Sequence, residues 1–360
     1  MKISHFALIS ATLSGSLFAQ DIKIVGTITQ PIKPSPSVLS ATKTGAPKQI
    51  KLLKVELSAE AKESLANKAK MALAHTQQFA ANPSNSKYPS QVELGMNDVP
   101  VLNQGMYGTC VTFAVTAAID AVLKKGDYLS QLCQLQLGNY LEKNAYSISG
   151  WEGSYGRVVL SQMDTFGIVP KSQEQIEGCG GLSRYPADGM ADPDGAMSVR
   201  EYHQLSESVA DQVAWSPILD IFQTLADRVD TNKTLNEVKA SLVAGDRVTF
   251  AVLLLDFDLG LVGAVGKNHA ENDTWVLTPE IARDVYLNPN FGGHEMVITG
   301  YDDNAIAVDD QGREYRGLLT LRNSWGDKVG DKGDFYMSYD YFKLLVTEAQ
   351  RIRDVSYSDD

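Results

Sequence analysis

The chain has 360 residues, enough for a sizeable core and one or two domains. Its hydrophobic share of 44% and charged share of 21% are those of an ordinary globular protein. A formal net charge of -12 argues against nucleic acid or an anionic membrane as a main partner.

Lys2 gives a basic start, Phe6 to Leu13 form a short apolar run, and Leu17-Phe18-Ala19 ends on a small residue. Residues 1–19 therefore read as a secretory signal peptide, and the remainder as an exported protein, periplasmic or extracellular. No later stretch is long enough to cross a bilayer. From residue 20 to about 51, Pro31, Pro34, Pro36 and Pro47 among serines and threonines point to an extended or irregular chain. Ser58 then opens a helix that reaches about residue 76, with Glu60 and Glu63 suited to its first turn. Asn82-Pro83-Ser84-Asn85-Ser86 is a linker.

The stretch Asn103-Gln104-Gly105-Met106-Tyr107-Gly108-Thr109-Cys110 is polar and glycine-rich. It leads into Val111, Ala114, Val115, Ala118, Ile119, Val122 and Leu123 at helical spacing. Cys110 is thus placed at the start of a buried helix, where unpaired N–H groups and the helix dipole favour thiolate. Gln104 lies a few residues back on the loop. Its amide and the Cys110 N–H can form a two-donor pocket for a developing oxyanion. Cys133 and Cys179 are the remaining cysteines. In an oxidising compartment they are expected to pair, the alternative being two separate buried thiols. No CxxC pair exists and no histidine sits at ligand spacing to a cysteine, so neither a metal nor any other cofactor is expected.

A helix is expected over residues 130–143, followed by the turn Gly150-Trp151-Glu152-Gly153 and a helix ended by Gly167. Turn chemistry dominates residues 180–195, and residues 216–229 read as helical. Residues 235–243 read as a short helix and residues 248–255 as a buried strand, with a long connection over 256–290. Among five histidines, His294 has the most ordered context, a glycine turn feeding Glu295-Met296-Val297-Ile298. His269 lies in a polar stretch and reads as a surface residue. Glu295 alternates with His294 along the strand and is assigned no role. Leu319-Thr320-Leu321-Arg322 is another strand, ending on Asn323, which can accept an imidazole N–H and fix the ring. Turns are expected at 302–304 and 309–312.

Three separated motifs, NQG…GTC, GHEMVITGYDD and NSWG…G…G, occur in this order. Together they resemble the papain-like cysteine peptidases (the C1 family), over about residues 88–339. The resemblance implies Cys110 as nucleophile, His294 as base, Asn323 as the orienting residue and Gln104 as oxyanion donor. It makes Trp325 a lid over the Asn–His contact at the substrate cleft. It also makes Gly153 a cleft-wall residue that pairs with substrate backbone, and it places a disulfide about where Cys133 and Cys179 lie. Departures are clear: Tyr107 stands where the family has a cysteine, Val111 where it has tryptophan, and Val329 replaces a second tryptophan. These mark a divergent branch with altered pocket walls.

By this resemblance the fold is α+β and two-lobed, with a helix-rich lobe, a sheet or barrel-like lobe and the active-site cleft between them. Residues 20–87 become a pro-segment lying in the cleft, residues 88–360 the peptidase domain, and residues 180–233 an insertion. The implied activity is peptide-bond hydrolysis through a thioester, on protein or peptide substrates, as an endopeptidase made as a zymogen. Two other functions use the same groups. One is a binding or inhibitory protein with a permanently blocked cleft, and the other an acyltransferase.

Overall fold

The computed structural model describes residues 21–32, 47–75, 87–187, 189, 193, 195–223, 231–255, 261–262, 273–287, 291–309 and 311–356. The expected signal peptide, His269 and the linker at 82–86 lie outside them.

The helical lobe begins with α2 (Cys110–Leu123), counting α1 as Ala59–His75. α2 is apolar almost all round, and every residue from Cys110 to Val122 is buried. A helix of that kind can only be a core element. Around it pack α3 (Gln131–Lys143), α4 (Gly156–Phe166), α5 (Lys171–Glu177) and α6 (Val199–Leu205). α3 and α6 begin on serine caps: Ser130 Oγ accepts the Cys133 N–H, and Ser198 forms a capping box with Glu201. Cys133 and Cys179 are joined in a disulfide with their Cα atoms 5.0 Å apart.

The second lobe is a sheet. Its spine is β8 (Phe291–Val308), counting β1 as Ile22–Ile32, β2 as Lys48–Leu57 and β3 as Gln91–Glu93. It also counts β4 as Val213–Leu219, β5 as Arg247–Leu254, and the short β6 (Leu261–Val262) and β7 (Thr274–Trp275). The strand order is β4-β11-β5-β8-β9-β10-β7-β6, with β9 at Glu314–Arg322, β10 at Asp334–Ser338 and β11 at Val346–Asp354. Helices α7 (Thr231–Val243), α8 (Pro279–Leu287) and α9 (Tyr339–Leu345) complete the described chain.

Both edges of β8 are in use. At Gly292 and Gly293 one edge pairs with β5, so β2 occupies the other, with Leu53 opposite Gly293. Further along, β9 pairs with that second edge from Val297 onward. β2 therefore takes over the edge of β8 where β9 leaves it, beside His294.

Several sequence expectations change here. Residues 20–51 are not simply irregular: β1 and most of β2 form an antiparallel ribbon. The signal was the apolar and polar interchange in Ile22–Ile32 and Lys48–Leu57, obscured by the nearby prolines. Residues 216–219 are strand β4, not helix, because they pair with β11. The 256–290 connection contains α8, which packs on α1. The turn expected at 302–304 is a bulge inside β8, since its pairing with β9 shifts register between Asp302 and Ile306 and continues. The helix from Ser58 is present as α1, with Ser58 Oγ accepting the Ala61 N–H at 3.0 Å.

The disulfide spans a sequence separation of 46 residues. On loop entropy, Cys179→Ser should cost about 3–4 kcal/mol of unfolding free energy, read from the urea midpoint of oxidised protein.

Candidate active site

The two halves of the site are fastened together by backbone. Gln104 N–H donates to Ser324 O at 2.8 Å and Gly326 N–H to Leu102 O at 2.9 Å. Asn103 and Trp325 form an isolated bridge between these hydrogen bonds. The glycine-rich loop before Cys110 is thus zipped onto the loop after Asn323. Gln104 Oε1 adds a bond from Ser324 Oγ at 2.8 Å.

His294 Nε2 lies 2.8 Å from Asn323 Oδ1, and that oxygen also accepts the Ser324 N–H at 2.7 Å. Because the amide oxygen can only accept, Nε2 carries the proton and Nδ1 presents a lone pair. Nδ1 is buried without a hydrogen-bond partner among the described residues. The Trp325 ring stacks on the imidazole, with centroids 4.4 Å apart and planes at 22°. Trp325 in turn packs edge-on against Trp275 and Phe335. The ring is therefore held on one face by an aromatic cluster and on one edge by an amide.

Cys110 stands at the first turn of α2 and is fully buried, as are Gln104 and His294. The β1–β2 ribbon lies against this site. A methyl group added at Gly108 would lie 2.8 Å from Thr27 Cγ2 and 3.2 Å from Leu53 Cδ2. One added at Gly153 (φ +126°) would lie 2.7 Å from Leu53 Cδ2, and one at Gly293 would lie 2.8 Å from Val55 Cγ2. Three glycines thus let the ribbon seat closely on the site. Gln104 Nε2, expected to face an oxyanion, donates to Lys51 O at 3.4 Å and to Tyr107 O at 3.0 Å. Lys48 Nζ reaches the Trp325 carbonyl and, at 3.4 Å, Asn103 Oδ1.

Burial inverts the expected electrostatics. The Cys110 thiol is pushed up to about 12, mainly by desolvation. The N–H groups of Glu295, Val111 and Cys110 pull it down and the Glu295 charge pushes it up. The helix-start amides act in the direction read from sequence, yet burial outweighs them. Desolvation also takes His294 down to about 4, opposed by the Asn323 hydrogen bond. In this closed arrangement both groups are neutral near pH 7.

Tyr185 is a site-supporting residue that the sequence did not single out. Its hydroxyl donates to Gln104 O at 2.6 Å and lies 2.9 Å from Thr109 Oγ1. Its ring stacks on Trp151 with centroids 5.5 Å apart and meets Phe113 and Tyr107 edge-on. Tyr107 and Trp151 also make a T-shaped contact at 5.1 Å. Trp151 is therefore core, and aromatic packing fills the position of Tyr107. Only the cluster of tyrosines and tryptophans hinted at this, since Tyr185 is distant in sequence.

The stretch 282–350, which holds His294, Asn323 and Trp325, matches the model of the Peptidase C1-like family. No curated protein sequence matches the chain. Among solved structures it is similar to xylellain, a cysteine protease from Xylella fastidiosa, at 19% identity and a TM-score of 0.45, covering 77% of this chain and 91% of that one. It is similar to the cysteine protease and lectin-like domains of Cwp84, a surface layer associated protein of Clostridium difficile, at 16% identity and 0.46, covering 93% and 62%. A third is the Amb a 11 cysteine protease of ragweed pollen in its proform, at 16% identity and 0.44, covering 80% and 74%. The family match and the two-lobed α+β fold mark the chain as similar to the papain-like cysteine peptidases.

A histidine held neutral with a folded value of about 4 against 6.5 stabilises the fold above about pH 6.5. That contribution is lost as pH falls through about 4. In denaturant unfolding, the parent should lose about 3 kcal/mol more than His294→Gln between those two pH values. The shared carboxyl groups cancel in the comparison. Separately, Tyr185→Phe keeps the ring packing but removes the bond to Gln104 O, and should cost about 1–2 kcal/mol in the same measurement with the near-UV aromatic signal retained.

Proposed function

We propose that the protein is an exported cysteine peptidase, made as a zymogen and closed by its own residues 20–87. The observation that carries the reading is the Asn323–His294 hydrogen bond under the Trp325 ring, in a site that also holds Cys110 and Gln104. With Nε2 protonated and Nδ1 basic, His294 can take a proton from the thiol while Asn323 fixes the ring. The disulfide between Cys133 and Cys179 fits an oxidising compartment. Among the described residues no helix is long and apolar enough to cross a membrane.

Once the ribbon leaves, water and substrate enter, and desolvation no longer holds Cys110 and His294 neutral. Thiolate and imidazolium then form by transfer of one proton. The thiolate attacks the peptide carbonyl, and the oxyanion takes hydrogen bonds from Gln104 Nε2 and the Cys110 N–H. Imidazolium protonates the leaving amine, which departs and leaves a thioester. Water attacks that thioester while His294 accepts its proton, and the acid product leaves as the thiol reforms. Gly153, freed of Leu53 and Ile24, becomes a wall against which extended substrate lies.

The ribbon's position explains latency. β2 extends the sheet at the edge of β8 beside His294 and takes the Gln104 amide through Lys51 O. Strand addition of this kind gains main-chain hydrogen bonds independently of sequence, so the same edge suits an extended peptide.

The test is intact mass after treatment with an epoxide that alkylates reactive thiolates. It compares the full chain with the same chain carrying an inserted protease site between residues 76 and 86 and cut after folding. Cys110→Ala versions of both serve as controls. Alkylation at Cys110 in the cut chain, at least about tenfold faster than in the uncut chain, is the expected result. Equal rates would remove the zymogen role of residues 20–87. No alkylation of either, with both folded, would leave a blocked binding protein as the better reading.

A further inference from the structure

Beside the proposed nucleophile lies a buried acidic pocket that the reaction does not use. It is a cavity of about 30 Å³, room for a water or two. Glu295, Glu348 and His294 line it from the enzyme side, and Ile24, Leu53 and Val55 of the ribbon line it from the other. Glu295 is 1% exposed, and its carboxyl oxygens make no hydrogen bond of ordinary geometry among the described residues, with only the Thr249 hydroxyl acting on it as a donor. Glu348, equally buried, is anchored: Oε1 accepts the Gly156 N–H at 2.8 Å, and Oε2 accepts Gln350 Nε2 at 3.2 Å and the Arg157 N–H at 3.4 Å.

Gly156 serves both acids. Its amide holds Glu348, and a Cβ there would lie 2.6 Å from Glu295 Oε1, so only glycine leaves space for that carboxyl. Basic groups do not reach the pair. No lysine or arginine occurs among the described lining residues, and the Arg157 guanidinium turns away to Asp220 at 2.5 Å. Two buried acids without a counter-charge are costly, and an apolar side chain of the same volume would avoid the cost.

We propose that this pocket is a substrate subsite that selects a cationic side chain, arginine or lysine, which enters as the ribbon's apolar residues leave. The inference rests on the peptidase reading above and adds its substrate class. The ribbon's Leu53 stands opposite Gly293 on β8, so a peptide replacing β2 on that edge would place a side chain at the mouth of the pocket. A guanidinium or ammonium there would supply the five or three donors that Glu295 lacks. Desolvation, and then the neighbouring Glu348, raise the Glu295 carboxyl in the closed state. Desolvation raises Glu348 too. In the closed state the aliphatic side chains of the ribbon cap the pocket with no charge of their own.

The experiment uses the cut chain described above and a set of fluorogenic peptides. Each position near the scissile bond is varied in turn among arginine, its neutral isostere citrulline, lysine and norleucine. The expected result is one position at which arginine exceeds citrulline, and lysine exceeds norleucine, by about tenfold or more in kcat/KM. That ratio should fall to near one in Glu295→Gln. Glu348→Gln should lower it as well, which guards against a defect special to the first variant. Peptides cleaved with no cationic preference, or with a preference that Glu295→Gln leaves intact, would overturn the subsite while leaving the peptidase standing. Failure to cleave any peptide, together with failure of Cys110 to alkylate, would remove the peptidase reading and the subsite with it.

Discussion

Strand β8 has two edges, and the molecule's chemistry depends on what occupies the second. β5 covers the first edge throughout the segment that carries His294. β9 covers the second only as far as Val297. It then turns away to deliver Asn323 to the imidazole. That leaves six residues of β8, Phe291 to Met296, without β9 on that edge, and buried backbone groups seldom stay unpaired. β2 fills the vacancy from Phe291 to Gly293. The same departure of β9 thus creates the Asn–His contact and the docking edge that closes it.

Closure changes the charge state of the site as much as its access. A thiol and an imidazole can exchange a proton only where the resulting ion pair is solvated or compensated. Under the ribbon both are desolvated, and each is driven toward its neutral form. On the zymogen reading proposed above, latency has two physical parts: an occupied strand edge and a dry, neutral pair. That reading has both reversed by one event, the departure of β1 and β2. The groups that orient the histidine, Asn323 and Trp325, lie outside the ribbon, though Lys48 of β2 reaches the Trp325 carbonyl.

Much of this was legible in order along the chain. The buried helix after Cys110, the strand after His294 and the strand ending on Asn323 each have a clear local period. The resemblance carried by Gln104, Cys110, His294, Asn323 and Trp325 implied one site; among them His294 bonds Asn323 and stacks on Trp325, and Gln104 bonds Ser324 beside them. The pairing of Cys133 with Cys179 was expected once Cys110 was set aside as nucleophile and export was read from the N-terminus, and the two are joined. The ribbon was harder to see, because prolines flank β1 and its partner lies beyond residues 33–46. Strand β4 was misjudged as helix because its register is set by β11, far along the chain. Glu295 was passed over because alternation says only that it opposes His294, not what it meets.

By itself the sequence determined which groups can do chemistry: one free cysteine at a helix start, one histidine on an ordered strand, and one asparagine at a strand end. Those are local properties, set by period, caps and residue type. Tertiary structure alone decided their state. The neutrality of Cys110 and His294 comes from burial in the folded chain, to which elements distant in sequence contribute. The hold on the Gln104 loop comes from Tyr185, and the acidic pocket comes from β8, β11 and the start of α4 converging. Desolvation and counter-charge depend on what surrounds a group in three dimensions, and sequence distance carries no information about that.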